Sequence, residues 1–404
     1  MLSVAEAQAR IRGAFHQLGN EQVGLTEGLG RVLAEDVAAR LTQPPVAVSA
    51  MDGYAVRAAD VATVPARLRV VGAAPAGGAY AGEVGNGEAV RIFTGGPLPA
   101  GADAIVIQED TTADGDTVVV NEGAARGAYV RPAGLDFRTG DVLLAKGRLL
   151  TSRDIGIAAA MNVPWLRVTR RPRIAVLATG DEVVMPGDAI GPNQIVSSNG
   201  LSLSAFIVAC GGEPVHLGIA PDDTAALRRL AEAAVGADLL VTSGGASVGD
   251  HDLVQSALGA AGMQLDFWKI AMRPGKPLMF GRIGPTAVLG VPGNPVSTLV
   301  CALMFLKPAI DVMLGRKEAA EPQPTARLGR DLPENDGRED YLRSRLSHDP
   351  EGRLVATPFE RQDSSMLSLM AKADCLVVRA PRAPAIKAGA TVAILPLAGG
   401  CLSI

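Results

Sequence analysis

Hydrophobic and polar positions alternate with helical periodicity near the N-terminus of the chain. Apolar residues recur there at Val4, Ala7, Ile11 and Phe15. Ser3 and Glu6 match a capping box, so the sequence predicts a first helix. A second short helical stretch is predicted over residues 26–37, before Pro44 and Pro45 break the periodicity.

From about residue 58 the helical periodicity gives way to short runs of strand-forming residues, which are separated by Gly and Pro. The runs cover residues 67–71, 89–93, 104–107 and 117–120. They predict a β-rich module over residues 58–131, inserted into an N-terminal and linker domain made of residues 1–57 plus 132–171. Glycine-rich hinges at the edges of the module favour a lid.

Strand and helix signals alternate between residues 172 and 320. Strands are predicted at 174–177, 214–219, 239–241, 264–270, 278–280 and 287–289, and helices at 199–210, 223–235, 252–261 and after Pro295. This alternation predicts an α/β domain with a doubly wound, mostly parallel sheet. Short strand patterns over residues 321–404 predict a C-terminal β domain that resembles a barrel, which makes the fold class α/β multidomain.

The composition of the 404-residue chain argues against several classes of protein. With 38 basic against 42 acidic residues and 3% aromatics, it lacks the charge and the stacking surface of a nucleic-acid binder. The longest apolar run, 296–306, ends at Lys307-Pro308 and is shorter than the roughly 20 residues that a membrane helix needs. No export signal is visible and no cysteines form a Cys-x-x-Cys pair, so we expect a cytoplasmic protein with reduced thiols.

Four loops of the predicted α/β domain carry unusual side chains. In such a sheet, ligands bind beyond the carboxyl ends of the strands. The first loop, Thr179-Gly180-Asp181-Glu182, offers two adjacent carboxylates that suit Mg²⁺, although the same pattern also forms ordinary solvated turns.

The second loop is rich in glycine and serine. It contains Ser243, Gly244, Gly245 and Ser247, followed by Asp250 and Asp252. Its N–H groups and hydroxyls suit a phosphate or pyrophosphate, and the two aspartates add carboxylates at a helix start. The alternative is a tight turn in which an aspartate caps the helix.

The third and fourth loops suit anions. Arg273-Pro274-Gly275-Lys276-Pro277 holds two cations on a rigid backbone, or forms a turn with exposed cations. Pro292-Gly293-Asn294-Pro295, with Ser297, opens a helix whose free N–H groups attract an anion or are simply capped by Asn294. Together the four loops predict a phosphorylated ligand, Mg²⁺, and phosphoryl or nucleotidyl chemistry.

Two carboxylates lie outside the α/β region. Asp52 precedes Gly53, and Asp136 follows Gly134-Leu135. By pattern alone, both are turn residues more often than catalytic residues.

Six motifs occur along the chain in the order of one family: Ser49–Ala55 after Pro44-Pro45, Thr94–Pro99, Thr179–Glu182, Ser243–Gly249, Pro274–Pro277 and Pro292–Pro295. On these motifs the chain resembles the molybdopterin molybdenumtransferase (MoeA) family, also seen as the C-terminal part of gephyrin, over essentially its whole length. The resemblance implies insertion of molybdate into adenylylated molybdopterin, with Mg²⁺ and release of AMP. It also implies an elongated homodimer whose active site lies between subunits.

The resemblance also assigns roles to individual residues. It implies catalytic roles for Asp52, Asp136, Glu182, Asp252 and Lys276, and metal binding by Glu182, Asp250 and Asp252. Cofactor contacts are expected at Thr179, Gly180, Ser243, Gly244, Gly245, Ser247, Arg273, Pro274, Gly275, Pro292, Gly293, Asn294, Ser297, Arg343 and Ser365. Arg273 departs from the lysine that is usual in the family, which keeps the charge but changes its geometry.

Two alternative functions share parts of this pattern. A molybdopterin adenylyltransferase has the same central domain, but the modules on either side and the Ser49–Ala55 motif argue against it. A non-enzymatic scaffold of the gephyrin type would be expected to carry a long linker or a second fused domain. The adenylyltransferase is also the expected upstream partner.

Overall fold

The computed structural model describes residues 1–221, 223, 225, 229, 233–244, 259, 262–316 and 323–397. The first helix, Val4–Gly13, begins as predicted. The Ser3 hydroxyl accepts from the Glu6 N–H, and the Glu6 carboxylate accepts from the Ser3 N–H at 2.9 Å. The domain prediction groups this helix with residues 20–57, but its apolar face packs into the core of the α/β sheet.

The helix predicted over residues 26–37 is wrong. A single 3₁₀ turn, Leu25–Glu27, is followed by Gly28 and Gly30, which interrupt a helix. Val32 and Leu33 then form isolated bridges to distant segments. The rest of this linker unit consists of short antiparallel pairs: Asn20–Gly24 with Trp165–Thr169, Val37–Ala38 with Val142–Leu144, and Val48–Ser49 with Val130–Arg131. Helix Ser152–Ala160 covers its core.

The four strand runs predicted for the inserted module are all present in one six-stranded sheet. Its strands are Gly53–Val56, Ala66–Ala74, Glu88–Ile92, Ala104–Ile107, Thr111–Asp114 and Thr117–Val120, with 3₁₀ turns at Ala58–Val61 and Gln108–Asp110. The sheet therefore begins a few residues before the predicted start of the module at residue 58. Because Gly53 opens the first strand, the residues just before it in the chain are attached directly to this sheet.

The α/β domain contains the predicted mixed sheet. In spatial order its strands are Glu213–Ala220, Arg173–Thr179, Leu239–Ser243, Thr286–Val291, Met279–Ile283 and Met263–Trp268. The first four are parallel, Met279–Ile283 runs antiparallel to them, and Met263–Trp268 runs antiparallel to Met279–Ile283. A small parallel pair, Val183–Val184 with Ile195–Val196, follows the second of these strands. The predicted helix 252–261 and most of 223–235 lie outside the described residues.

Helix Asn199–Ala209 and a long helix cover one face of this sheet. The long helix runs as Pro295–Cys301, a π-helical segment Ala302–Leu306, and Lys307–Leu314. It continues through Lys307-Pro308, where its apolar run ends. Pro295–Leu314 is long and apolar enough to cross a membrane by length and composition, but 67% of its most apolar window is buried inside the protein, as in a core helix.

The C-terminal domain is a closed five-stranded barrel, as predicted. Its strands are Thr325–Leu328, Glu339–His348, Leu354–Pro358, Cys375–Arg379 and Thr391–Pro396, with a short helix at Leu367–Ala371. Pairing of Glu339–His348 with Cys375–Arg379 closes the ring. The two-residue strand Met272–Arg273 of the α/β domain pairs with Glu339–His348 and joins the two domains.

Candidate functional site

Three strand ends of the α/β sheet meet in one cluster. Gly180 and Gly244 adopt φ values of 136° and 108°, which side chains rarely tolerate. A Cβ on Gly244 would lie 2.5 Å from the Thr179 carbonyl oxygen, and one on Gly293 would lie 3.5 Å from the Gly244 Cα. The predicted loops around residues 180, 244 and 293 therefore pack against one another, and glycine permits the close approach.

Asn199 connects two of these loops, and it is a residue that the sequence analysis missed. It is the first residue of helix Asn199–Ala209. Its side-chain amide donates to the Ser243 hydroxyl at 2.9 Å and to the Gly293 carbonyl at 2.6 Å. A polar residue at a helix start usually indicates a cap, so the pattern gave no sign of this longer-range role.

Within the described part of the chain, two buried hydroxyls beside the cluster have no hydrogen-bond partner. They belong to Thr179 and Thr242, which are 4% and 1% exposed. Their residues lie at the carboxyl ends of adjacent strands, and the register puts them on the same face of the sheet. A buried unpaired hydroxyl is costly, so these groups favour a site that is completed by a polar ligand.

The carboxylate of Glu182, one of those predicted to hold a metal, lies beside the same cluster. A Cβ on Gly180 would be 2.5 Å from a Glu182 carboxylate oxygen, so this exposed side chain folds over the Gly180 turn. The other predicted members of the site, Gly245, Ser247, Asp250 and Asp252, lie outside the described residues. Within the described ranges, no three His, Cys, Asp or Glu side chains lie close enough together to hold a metal ion.

The loop with the two cations is anchored on the long helix. Gly275 has a φ of 116°, and a Cβ there would lie 2.7 Å from the Cys301 sulfur. Burial raises the pKa of the Cys301 thiol and keeps it neutral. Lys276 is half-buried, and its ammonium forms no hydrogen bond or ion pair within the part of the chain that the structure describes. The side chain of Arg273 points to the barrel, where it contacts Asp340.

The loop at the start of the long helix is fixed by the barrel. Asn294 occupies the cap position, but its side chain makes no capping bond and instead donates to the Ser364 hydroxyl at 2.8 Å. The Val296 N–H donates to the Ser364 carbonyl at 3.1 Å. Ser297 is buried directly after it, at 4% exposure. The predicted capping by Asn294 is therefore replaced by an interdomain contact.

The two predicted residues of the barrel occupy different environments. The Ser365 hydroxyl donates to Asp363 at 2.6 Å, next to the serine that Asn294 contacts. Arg343 is only 1% exposed, and it donates to the Met366 carbonyl and the Gln362 side chain at 3.1 and 3.3 Å. Arg343 therefore supports the loop that carries Ser365 from inside the barrel.

Asp52 lies on the inserted module, where two predicted motifs interlock. The carboxylate accepts from the Thr94 N–H at 2.7 Å and from the Thr94 hydroxyl at 2.8 Å. These hydrogen bonds, with a smaller effect from Arg91, lower the pKa of Asp52. The Ser49 N–H donates to the Gly96 carbonyl, and the Gly95 N–H donates to the Ser49 carbonyl, each at 2.9 Å. A half-buried carboxylate whose pKa is lowered favours its ionised form, which suits binding of a cation.

Asp136 lies on a neighbouring loop. Its N–H donates to the Gln43 carbonyl at 3.0 Å, and its side chain is exposed. The pair Val48–Ser49 with Val130–Arg131 holds this loop near the one that carries Asp52. Among the described residues, no hydrogen bond or ion pair joins Asp52 or Asp136 to the strand-end cluster of the same chain.

Three family models match consecutive parts of the chain. The model described as the MoeA N-terminal region (domain I and II) matches residues 2–162. The model described as a probable molybdopterin binding domain matches residues 175–312, and the MoeA C-terminal region (domain IV) matches residues 325–397. The second match coincides with the sheet that carries the strand-end cluster.

Relatives of full length are similar to the chain. The molybdopterin molybdenumtransferase of Haemophilus influenzae is 34% identical over 379 residues, which is 93% of each chain. The protein of the same name from Bacillus subtilis is 32% identical over 403 residues, covering 98% of this chain and 94% of that one. The crystal structure of the molybdopterin biosynthesis MoeA protein from Pyrococcus horikosii superposes with a TM-score of 0.85 at 32% identity, over 99% of this chain and 100% of that one.

Proposed function

Because the chain belongs to the MoeA family of molybdopterin molybdenumtransferases, we propose that it inserts molybdate into adenylylated molybdopterin and releases AMP. The coarser function, transfer of molybdenum in molybdenum cofactor biosynthesis, follows from the family. The central observation is the cluster of three strand-end loops, two of which Asn199 joins.

The pyrophosphate of the adenylylated substrate binds at this cluster. The glycine turns at 180, 244 and 293 lie close together, and their lack of side chains leaves room for phosphate oxygens. The hydroxyls of Thr179 and Thr242 have no hydrogen-bond partner among the residues that the structure describes. Hydroxyl donors of this kind bind the oxygens of a phosphate or molybdate.

Lys276 holds the molybdate oxygens. Its ammonium is a mobile positive charge that no carboxylate of the described residues neutralises. Its loop is held on the buried Cys301 below it, so the charge stays next to the helix that begins at Pro295. The positive end of the helix dipole at that start adds attraction for the same anion.

Glu182, with Asp250 and Asp252, would hold Mg²⁺ beside the phosphates. The fit is supported by one exposed carboxylate folded over the Gly180 turn, since carboxylate oxygens are the ligands that Mg²⁺ prefers. When bound, Mg²⁺ offsets the negative charge that develops on the phosphorus oxygens.

Asp52 and Asp136 complete the site of a second subunit in a homodimer. Apolar side chains that are at least about one-third exposed surround them: Val46, Met51, Phe93, Tyr129 and Leu135. A second exposed apolar group lies near Glu182: Ile190, Ile195, Val196 and Leu201. Burial of both groups against each other would bring Asp52 to the strand-end cluster of the partner and would remove apolar surface from water.

The upstream partner is a molybdopterin adenylyltransferase, because its product is the adenylylated substrate. The decisive experiment mixes the purified protein with adenylylated molybdopterin, Mg²⁺ and molybdate, and measures AMP. We expect AMP release that depends on molybdate. Consumption of ATP with molybdopterin in the absence of molybdate would instead identify an adenylyltransferase and overturn the proposal.

A further inference from the structure

Arg273, three positions before Lys276, is attached to the barrel through its backbone. Met272 and Arg273 pair in parallel with Glu339 and Asp340, and the Glu339 N–H donates to the Ala271 carbonyl at 2.9 Å. The loop that carries Lys276 is therefore attached at one end to the strand Glu339–His348 of the C-terminal domain.

The guanidinium of Arg273 contacts three acceptors of the barrel. One nitrogen donates to Asp336 at 3.2 Å. The other donates to the Asn335 side-chain oxygen at 3.3 Å and, at closer range, to an Asp340 oxygen. A planar guanidinium can reach several acceptors in one plane, whereas the ammonium of a lysine acts as a point charge.

The carboxylate of Asp340 depends on this contact. Its side chain is only 4% exposed, and its second oxygen has no hydrogen-bond partner in the described ranges. Arg379 lies opposite it in the sheet register, but that guanidinium donates to the carbonyls of Pro333, Ala383 and Pro384. Among the described residues, Arg273 is therefore the cation that compensates the buried charge of Asp340.

The acceptors are themselves held in place. The Asn335 amide donates to the carbonyls of Arg338 and Ala380 at 2.8 and 2.9 Å. Asp336 accepts from Arg338 at 2.6 Å. The turn is thus rigid before Arg273 reaches it, which lowers the entropic cost of the contact.

We propose that Arg273 is a positioning residue that docks the barrel on the α/β domain and thereby fixes the loop of Lys276, while Lys276 alone of the two binds the anion. Two barrel carboxylates already balance the charge of Arg273, whereas Lys276 has no such partner in the described parts of the chain. The inference rests on the proposed function for its kinetic test only.

The kinetic test compares Arg273→Met with Lys276→Met in the molybdate-dependent AMP assay. We expect Lys276→Met to raise the KM for molybdate by about tenfold or more, as loss of one charged contact implies. Arg273→Met should leave that KM within about twofold and lower kcat, because the loop of Lys276 loses its docking. An equal rise of KM in both variants would overturn the proposal.

A second test needs no activity and therefore separates this inference from the proposed function. Amide hydrogen exchange of the folded full-length chain should become at least about tenfold faster along Glu339–His348 in Arg273→Met, and should be unchanged in Lys276→Met. If Arg273→Met does not fold, Arg273→Lys replaces it, with a smaller acceleration expected. Wild-type exchange rates along this strand in the folded variant would reject the docking role.

Discussion

The side-chain amide of Gln8 donates to the backbone carbonyl of Met304 at 2.9 Å. In a regular α-helix this carbonyl would accept from the N–H of residue 308, but that residue is a proline. The first helix of the chain thus supplies this carbonyl with a hydrogen bond in place of the one that Pro308 cannot donate. Together with the π-helical segment Ala302–Leu306, it allows the helix to continue through the proline.

Replacing Gln8 with leucine should destabilise the protein by about 1–3 kcal/mol, because the carbonyl of Met304 would be left without a partner. The measurement is a denaturant unfolding curve. Ala9→Leu, which adds the same side chain at an exposed neighbouring position, is the control and should change little. In a Pro308→Ala background, which restores an N–H at that position, the cost of Gln8→Leu should shrink. An unchanged cost there would contradict this explanation.

Removal of the Asn199 amide should weaken the strand-end cluster. Asn199→Ala loses two hydrogen bonds, so we expect kcat/KM to fall by about tenfold, which corresponds to about 1.4 kcal/mol. Asn199→Asp should be worse, because it places negative charge against the Gly293 carbonyl and the bound anion. The steady-state AMP assay measures both effects.

Ser204→Ala is the matched control for these variants. It removes a hydroxyl that bonds to the Gly200 carbonyl on the same helix, one turn away from the loops. Wild-type kinetics in Asn199→Asp would show that the contacts of Asn199 are not needed for catalysis.

The arrangement across two subunits predicts complementation between inactive variants. Asp52→Asn and Lys276→Met each impair a different part of the site. After random mixing, about half of the dimers contain one chain of each variant. Each mixed dimer has one intact site out of two, so activity should recover to about a quarter of wild type. Mixing after mild dissociation, followed by the AMP assay, measures this. If both groups lay in the same subunit's site, mixing would restore nothing.

Local pattern predicted most of the fold. Strands such as Ala104–Ile107 and Thr117–Val120 have their predicted bounds, because short apolar runs between glycines leave few alternatives. The same method failed over residues 26–37. There, helical spacing of apolar residues was overridden by glycines and by pairing with segments more than 100 positions away.

The site was less predictable, because its organising contacts are distant in sequence. The loops themselves were visible as clusters of glycine and charge. No local sequence pattern around Asn199 predicts its contacts with Ser243 and Gly293. The same holds for the contact of Arg273 with Asp340. From the sequence, Arg273 and Lys276 were both predicted to bind an anion. In the structure, only Arg273 lies among carboxylates.

The contact between Arg273 and Asp340 predicts a pH-dependent stability difference. Burial raises the pKa of Asp340, and the hydrogen bond from Arg273 opposes that rise. A folded-state pKa above the ordinary value of about 3.9 means that the folded protein binds the proton more tightly than the unfolded chain does. The ionised carboxylate therefore reduces stability as the pH rises through the folded-state pKa.

Arg273→Met removes the hydrogen bond that opposes the rise, so the pKa of Asp340 should rise further. The free energy of unfolding of the variant should therefore fall further below that of the wild type as the pH increases from acid toward pH 8. Asp336, with a pKa of about 2 set by its bond to Arg338, stays ionised over this range and does not contribute to the change. Urea unfolding midpoints measured from about pH 4.5 to 8 would show the widening gap. In the double variant Arg273→Met, Asp340→Asn, the buried group no longer titrates, so the gap should stay constant. A gap in Arg273→Met that does not depend on pH would mean that Arg273 does not compensate the charge of Asp340.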